Sequence, residues 1–334
     1  MSLFHGRRIR IAAGAAALVF AALNGIAYRQ ALAMTHFTRG GVRTPMPKEL
    51  TFVQKLGVLA SGVQLPRPEN NRTPLDQKMP FDTWTIPVQD VASLEAWHVQ
   101  RPDARGVVLL FHGYADRKSS ILTEARGFFD EGWDPVLVDL RGSGGSSGEE
   151  TSIGFHEGDD EAAAVLFVRA RIPDKPLILW GVSMGGAAAL RAVGVLGSPV
   201  DGLIVEAPFA TLRSAIINRF HSLGVPSFGM VDLLVFWGGV QQGFNGFLHN
   251  PVNYARRVRV PTLLLLGHLD QRVLMPEGQA IADALGGEKE FEIFPGLGHE
   301  SLIRGDRERW TRIIHGFLSR WNGPSLAQTK GTAS

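Results

Sequence analysis

The sequence predicts an α/β fold with a mostly parallel central sheet, helices on both of its faces and an inserted cap. Short apolar runs alternate with segments of helical periodicity over residues 80–322, and this alternation is typical of a parallel sheet. Several of these runs are apolar throughout, as expected for strands that are covered on both faces. The alternation stops between about residues 209 and 260, where we expect the cap.

The first two strands are expected to form an antiparallel, half-exposed pair, because residues 81–88 and 93–100 alternate polar and apolar side chains. The later runs predict buried strands at residues 107–113, 134–142, 176–180, 202–208, 261–270 and 291–296. Helical spacing predicts helices at residues 121–129, 160–170, 184–195, 279–285 and 307–321. The acidic residues just before the second of these helices suit the positive end of a helix dipole.

The predicted cap is rich in large apolar residues, while glycines between them interrupt any long helix. These apolar residues are Leu223, Phe228, Met230, Leu234, Phe236, Trp237, Phe244 and Phe247. They pack the cap on the sheet, line a pocket for an acyl chain, or do both. We interpret the insert as a lid over the carboxyl edge of the sheet.

Composition excludes several classes of site. The chain has 334 residues, of which 45% are hydrophobic, and a net charge of +2. Its basic residues are scattered, so we expect no nucleic-acid partner. The absence of cysteine excludes disulfides, thiolate metal sites and a cysteine nucleophile. His156-Glu157, followed by two aspartates, does not have HExxH spacing, so we expect no metal site there.

An uncharged stretch at residues 11–27 follows Arg7, Arg8 and Arg10 and predicts a membrane anchor. Its length is near the minimum for a transmembrane helix, and the arginines place the N-terminus in the cytoplasm and the rest of the chain outside it. In a bacterium this is the periplasmic side of the inner membrane. Residues 31–33 (Ala-Leu-Ala) resemble a signal-peptidase site, so export after cleavage is an alternative, as is a buried soluble helix.

The remaining terminal segments are not expected to form domains. Residues 1–34 are the predicted anchor or signal, and residues 35–79 are polar and interrupted by proline and glycine, as a spacer or wrapping segment would be. The catalytic domain is predicted at residues 80–322. Residues 323–334 are small and polar, and we expect a disordered tail.

A serine among glycines follows one buried strand, in the stretch GVSMGG. G-x-S-x-G between a strand and a helix is the setting of a nucleophile elbow, whose serine takes strained backbone angles. Gly181, Gly185 and Gly186 would remove side chains that collide with neighbouring elements. We expect the Ser183 hydroxyl to stand at the carboxyl end of the strand, with an ordinary turn as the alternative.

A base and an acid follow two later strands at the same sheet edge. A serine hydroxyl needs a base to take its proton, and His299 follows the predicted strand at 291–296. A carboxylate must orient the imidazole and stabilise its cation, and Asp270 ends the run at 261–270. Glu206, at the end of another strand, is an alternative acid.

The sequence also contains a candidate oxyanion hole. FHGYAD follows a buried strand, and the backbone amides of Tyr114 and Met184 are the expected donors. His112 is expected to hold its loop by hydrogen bonding. DLRGSGGSSG lacks the spacing of a phosphate loop, so we interpret it as a turn beside the site.

The segments FHGYAD, DLRGSGGSSG, GVSMGG, GHLDQRV and GLGHES, in this order, resemble the α/β-hydrolase superfamily. Within it they resemble the serine-aminopeptidase-like group of bacterial esterases and lipases, which often carry an N-terminal anchor. The resemblance covers residues 81–321 and implies an acyl hydrolase without a cofactor. Its nucleophile, acid and base would be Ser183, Asp270 and His299, and its oxyanion amides would be those of Tyr114 and Met184.

We expect a two-step acyl transfer on a small-molecule ester with an uncharged, apolar or amphipathic acyl group, since the cap sequence has no charged cluster. A peptidase or amidase and a thioesterase or acyltransferase would use the same triad. A non-catalytic, membrane-tethered binding protein is the alternative from another class.

Overall fold

The fold was analysed in a computed structural model that describes residues 2–45, 49–89, 92–224 and 229–321. Within these residues, eight strands form one sheet in the order β1-β2-β4-β3-β5-β6-β7-β8. The strands are β1 Phe81–Pro87, β2 Ser93–Val99, β3 Val107–Phe111, β4 Asp134–Val138, β5 Leu177–Val182, β6 Gly202–Glu206, β7 Thr262–Gly267 and β8 Lys289–Phe294. β1 pairs antiparallel with β2, and β2 pairs antiparallel with β4. All later pairings are parallel, which confirms the predicted sheet.

Helices surround the sheet on both faces. They are α1 Ser2–Thr35, α2 Phe52–Ser61, α3 Leu122–Asp130, α4 Phe155–Arg171, α5 Met184–Gly194, α6 Leu212–Ser222, α7 Met230–Gln241, α8 Pro251–Ala255, α9 Met275–Ala284, α10 Leu302–Gly305 and α11 Arg307–Leu318. Among these, α6, α7 and α8 lie in the segment for which the sequence predicts a cap.

Two hydrophobic cores lie on opposite faces of the sheet, because successive side chains of a strand point to opposite sides. On β5, Leu179 packs in the core that contains α4 and α5. Its neighbour Trp180 packs in the core that contains α3 and α11. The central strands are buried along their length, which accounts for their continuous apolar sequences.

Two helices begin earlier than their periodicity indicates. The sequence predicts α4 from residue 160, but it begins at Phe155. The carboxylate of Glu157 accepts a hydrogen bond from the backbone N–H of Gly154 at 2.8 Å, so it caps the first turn. Likewise α9 begins at Met275, with Pro276 in its first turn, a position that proline tolerates well.

The N-terminal helix α1 has an exposed part and a part that packs on the cap. Residues 10–23 are exposed, whereas Ala27 and Ala31 are buried. Ala31 packs with side chains of α6 and α7, and Trp237 Nε1 donates to Asn24 Oδ1 at 3.1 Å. By length and composition, Arg10–Thr35 could cross a membrane.

The chain between α1 and the sheet lies along the molecular surface. The N–H of Phe37 donates to the carbonyl of Glu149 at 2.7 Å, and Thr38 forms a parallel bridge with Pro66. Asn70 Nδ2 then donates to Asp139 Oδ2 at 2.7 Å. This segment therefore contacts the turn that follows β4.

Two expectations fall on residues that the structure does not describe. The tail predicted at residues 323–334 and the cap residue Phe228 both lie outside the described residues.

Candidate active site

Ser183 occupies a strained turn between β5 and α5. Its φ is 54° and its ψ is −112°, a conformation that a residue with a side chain rarely adopts and that costs about 1–3 kcal/mol. Close packing imposes the turn. A Cβ on Gly181 would lie 2.5 Å from the carbonyl oxygen of Gly185, and a Cβ on Gly185 would lie 2.7 Å from that of His112. Only glycine fits at these two positions.

The structure brings Ser183, His299 and Asp270 into one hydrogen-bonded relay. His299 Nε2 lies 3.1 Å from Ser183 Oγ, and His299 Nδ1 lies 2.7 Å from Asp270 Oδ2. A neutral imidazole that donates from Nδ1 to the carboxylate would accept the serine proton at Nε2. The three residues follow β5, β7 and β8, so parallel strands deliver them to one edge of the sheet.

The Asp270 carboxylate is held on both of its oxygens. Oδ2 faces His299, while Oδ1 accepts the backbone N–H groups of Arg272 at 2.7 Å and Val273 at 2.9 Å. Its side chain is fully buried. These bonds fix the orientation of the carboxylate and, through it, the orientation of the His299 ring.

The backbone N–H groups of Tyr114 and Met184 belong to the two segments that adjoin Ser183. Met184 opens α5, and the first N–H groups of a helix have no partner within the helix. The loop that carries Tyr114 lies against the turn, since a Cβ on Gly113 would be 3.6 Å from Ser183 Cβ. Neither N–H donates to an acceptor within the described residues.

The Tyr114 hydroxyl donates a hydrogen bond to the carbonyl of Met34, near the end of α1. Burial of this hydroxyl raises the pKa of Tyr114 above its ordinary range, so it remains a donor at neutral pH. The sequence analysis did not identify α1 as part of this region. The sequence did contain one indication of this contact. Ala27 and Ala31 are one helical turn apart, and small residues on one face of a helix allow another helix to approach closely.

His112 holds its loop, as expected. Its Nδ1 lies 2.8 Å from the carbonyl oxygen of Gly113, and its Nε2 accepts the N–H of Leu140 at 3.1 Å. It thereby ties the Tyr114 loop to the chain after β4. In that chain, Asp139 pairs with the buried Lys118 and accepts the N–H of Gly145 at 2.9 Å, so the glycine-rich stretch is a fixed turn.

Glu206, the alternative acid, lies in a different network. Its Oε1 accepts Nε1–H of Trp180 at 3.0 Å and of Trp310 at 2.8 Å. These bonds tie the end of β6 to Trp180 of β5 and to Trp310 of α11, whereas His299 is bonded to Asp270 and Ser183. Burial raises the pKa of Glu206 to about 7. The carboxylate bonded to the imidazole is that of Asp270.

A narrow apolar cleft, here called the cap cavity, lies between α1, the cap and the loop before α4. It is lined by Ala31, Met34, Thr35, Ser152, Ile153, Leu212, Ile216, Leu234, Gly238, Gln242 and Phe244. None of these described lining residues is charged. Thr151, beside the lining loop, contacts Met184 Sδ through its Oγ1 at 3.5 Å, so the wall of the cavity packs against the turn that holds Ser183.

Comparison with known proteins agrees with this fold. The sequence model of the family described as serine aminopeptidase, S33, matches residues 102–235. The esterase Pf2001 of Pyrococcus furiosus has a similar structure, with a TM-score of 0.65 at 22% identity over 77% of this chain and 97% of that chain. The chain has the α/β-hydrolase fold.

Two curated relatives extend the comparison. The chain is 23% identical over 249 residues to the uncharacterized protein YqkD of Bacillus subtilis, covering 74% of this chain and 82% of that protein. It is 36% identical over 85 residues to the lysophosphatidylserine lipase ABHD12 of Danio rerio, covering 25% of this chain and 22% of that protein. The match to YqkD spans most of both proteins, whereas the match to ABHD12 is confined to about a quarter of each.

Replacing Glu206 by glutamine should remove a pH-dependent loss of stability. The pKa of Glu206 rises from its ordinary value of 4.5 to about 7 on folding, so the folded state holds the proton more tightly. Stability therefore falls as the pH rises through this interval. The unfolding free energy of Glu206→Gln minus that of the native protein should therefore increase by about 2 kcal/mol when the pH is raised from 5 to 8.

Denaturant unfolding of the full chain in detergent, followed by tryptophan fluorescence, would measure this difference. Glu308→Gln is the matched control, because its side chain is 90% exposed on the same helix as Trp310. A stability gain that is equal at both pH values would contradict the prediction.

Proposed function

We propose that this α/β-hydrolase is a serine esterase that cleaves carboxylic esters of amphipathic, lipid-like molecules. The observation that carries the proposal is the position of His299, with one ring nitrogen 3.1 Å from Ser183 Oγ and the other 2.7 Å from Asp270 Oδ2. A nucleophile, a base and an orienting carboxylate in this relation support covalent acyl transfer.

In the acylation step, Ser183 Oγ attacks the ester carbonyl while His299 Nε2 takes its proton. Asp270 stabilises the imidazolium that forms. The carbonyl oxygen becomes an oxyanion and accepts the N–H groups of Tyr114 and Met184, where the loss of one donor typically lowers kcat by about 10²–10³-fold. When the tetrahedral intermediate collapses, the C–O bond of the ester breaks and His299 protonates the departing alcohol.

In the deacylation step, water replaces the alcohol. His299 takes a proton from this water, whose oxygen attacks the carbonyl carbon of the acyl-enzyme, and the same two amides accept the second oxyanion. The bond to Ser183 Oγ then breaks as His299 returns the proton to it. The products are a carboxylic acid and the free enzyme.

The cap cavity supports an uncharged, apolar acyl group. Its described lining is mostly apolar and contains no charged group, and its volume of about 20 Å³ must increase before an acyl chain can enter. Burial of methylene groups there would contribute about 0.8 kcal/mol each. The name of the zebrafish relative, a lysophosphatidylserine lipase, is consistent with a substrate that carries a single acyl chain.

A peptidase is the second candidate, because the family that matches residues 102–235 is described as serine aminopeptidase. The same relay can attack an amide. An aminopeptidase, however, must hold the free amino group of its substrate, for which a carboxylate is the natural partner. The described lining of the cap cavity contains no carboxylate, and this favours the ester.

We also propose that α1 is retained as a membrane anchor rather than cleaved. Ala31, inside the sequence that resembles a cleavage site, packs against α6 and α7. Removal of residues 1–33 would expose this surface and shorten the segment that offers the Met34 carbonyl to Tyr114. The arginines before residue 11 place the N-terminus in the cytoplasm and the hydrolase domain on the opposite side.

Ser183→Ala should reduce kcat for p-nitrophenyl esters by about 10⁴-fold or more, because the substitution removes the nucleophile while the oxyanion donors remain. Turnover in detergent and labelling by a fluorophosphonate are the measurements. Ser198→Ala is the control, since Ser198 is a buried serine after α5 whose hydroxyl lacks a partner within the described residues. Full activity of the Ser183 variant would refute the serine mechanism.

The same assay should separate the candidate reactions. Matched ester, amide and thioester substrates with one acyl group are compared at equal concentration, and the ester should have the highest kcat/KM. A higher kcat/KM for the amide would instead favour the peptidase.

If α1 is retained, the protein isolated from membranes should keep residues 1–33. Intact mass spectrometry of the full-length product measures this directly, and resistance to extraction by alkaline carbonate measures whether the helix spans the membrane. A mature chain that begins directly after Ala33 and is recovered in the soluble fraction would contradict the anchor.

A further inference from the structure

Three arginines from distant parts of the sequence converge near the oxyanion loop. Arg219 is near enough to Tyr114, Arg43 and Arg272 for the charges of these groups to affect its pKa. Burial lowers the pKa of Arg219 below its ordinary range, and the positive charges of Arg272 and Arg43 lower it further. Within the part of the chain that the structure describes, none of the three guanidinium groups has a carboxylate within 4.0 Å.

Arg219 continues the apolar wall of the cap cavity. Leu212 and Ile216 of α6 line that cavity, and Arg219 follows them at the i+7 and i+3 positions. Residues at this spacing lie on one face of a helix. The guanidinium group of the half-buried Arg219 is therefore at the C-terminal end of the face that forms the wall.

Arg272 connects this cluster to the Asp270 loop. Its N–H donates to Asp270 Oδ1 at 2.7 Å, and its carbonyl accepts Nδ2–H of Asn218 at 3.1 Å. Asn218 precedes Arg219 on α6, so one hydrogen bond holds the two arginine-bearing segments together. The basic cluster consequently lies between the loop of the acid and the loop of the oxyanion hole.

The nearby carboxylates are already occupied. Glu277 accepts hydrogen bonds from the side chains of Ser214 and Asn218, and Asp270 is bonded to His299. A half-buried guanidinium group without a counter-charge is unfavourable in an isolated protein. Arginine binds phosphate oxygens in a bidentate geometry, so a bound anion of this type would supply the missing partner.

We propose that Arg219, Arg272 and Arg43 form a subsite for a phosphate-type anion on the alcohol side of the substrate ester. The acyl chain occupies the cap cavity, the carbonyl lies at Ser183, and the anionic headgroup binds the arginines. This inference rests on the esterase function proposed above. With this subsite, the substrate as a whole carries a negative charge in its headgroup, and only its acyl part is uncharged.

The test compares two substrates that share an acyl chain, a lysophosphatidic acid and a monoacylglycerol, with the full chain in neutral detergent. In the native protein, kcat/KM should be higher for the phosphate-bearing substrate. Arg219→Gln should lower the ratio of the two kcat/KM values by about tenfold, mainly through KM, because a charge-assisted hydrogen bond is lost. Arg272→Gln, at an exposed position, should act in the same direction without affecting folding.

Arg213→Gln is the matched control. Arg213 lies on the same helix but pairs with Asp232 at 2.6 Å, so its replacement should leave the substrate ratio at the native value. Inorganic phosphate should inhibit hydrolysis of the lysophosphatidic acid in competition with it, and this inhibition should weaken in Arg219→Gln.

The outcomes distinguish the two proposals. Hydrolysis of both lipids with a ratio that neither arginine variant changes would overturn the headgroup subsite and leave the esterase intact. If the substrate ratio is unchanged in the variants but the variants bind more weakly to vesicles of anionic lipid, the headgroup subsite would be overturned and the arginines would instead contact the membrane. No hydrolysis of either lipid or of p-nitrophenyl esters by the native protein would overturn the esterase itself.

Discussion

The close contact between the start of α5 and the strands beneath it is the constraint on which the rest of the site depends. Gly181 and Gly185 leave no room for a Cβ, because carbonyl oxygens lie 2.5–2.7 Å from where one would stand. This packing forces Ser183 into a conformation with φ of 54°, which aims its hydroxyl away from the sheet. The same contact positions the free N–H of Met184 beside that hydroxyl. The proposed nucleophile and one of the two proposed oxyanion donors thus belong to the same backbone turn.

The second constraint on the site comes from α1. This helix is apolar, and it also packs on the cap and on the Tyr114 loop. Its buried alanines pack on the cap, and its last turn offers the Met34 carbonyl to the hydroxyl of Tyr114. The Tyr114 loop, which lies against the Ser183 turn, is therefore bonded at its side chain to the end of the helix that we propose as the membrane anchor. If α1 is the anchor, an amphipathic ester would reach the site over a short distance from the bilayer.

Features that depend on short stretches of sequence could be predicted, whereas contacts between segments that are far apart in the chain could not. Buried strands and the residues that follow them are local features, so the sheet and the positions of Ser183, Asp270 and His299 at its edge were accessible. The contact of α1 with the cap was not, since Asn24 and Trp237 are 213 residues apart. For the same reason, the cap sequence suggested an uncharged substrate. It contains Arg219 but gives no sign that Arg43 and Arg272 join it.

The cap cavity has walls that are fastened to different parts of the molecule. On one side, α6 is tied to the hydrolase domain, because Ser214 and Asn218 both donate to Glu277 of α9. On the other side, α7 is tied to α1 through Trp237 and Asn24. The two walls are also joined to each other, because Arg213 of α6 pairs with Asp232 of α7 at 2.6 Å. The width of the cavity therefore depends on this ion pair as well as on how α1 is held relative to the sheet. Since Arg219 is on α6, the proposed headgroup subsite lies on the side of the cavity that is tied to α9, whereas the side formed by α1 and α7 is mostly apolar.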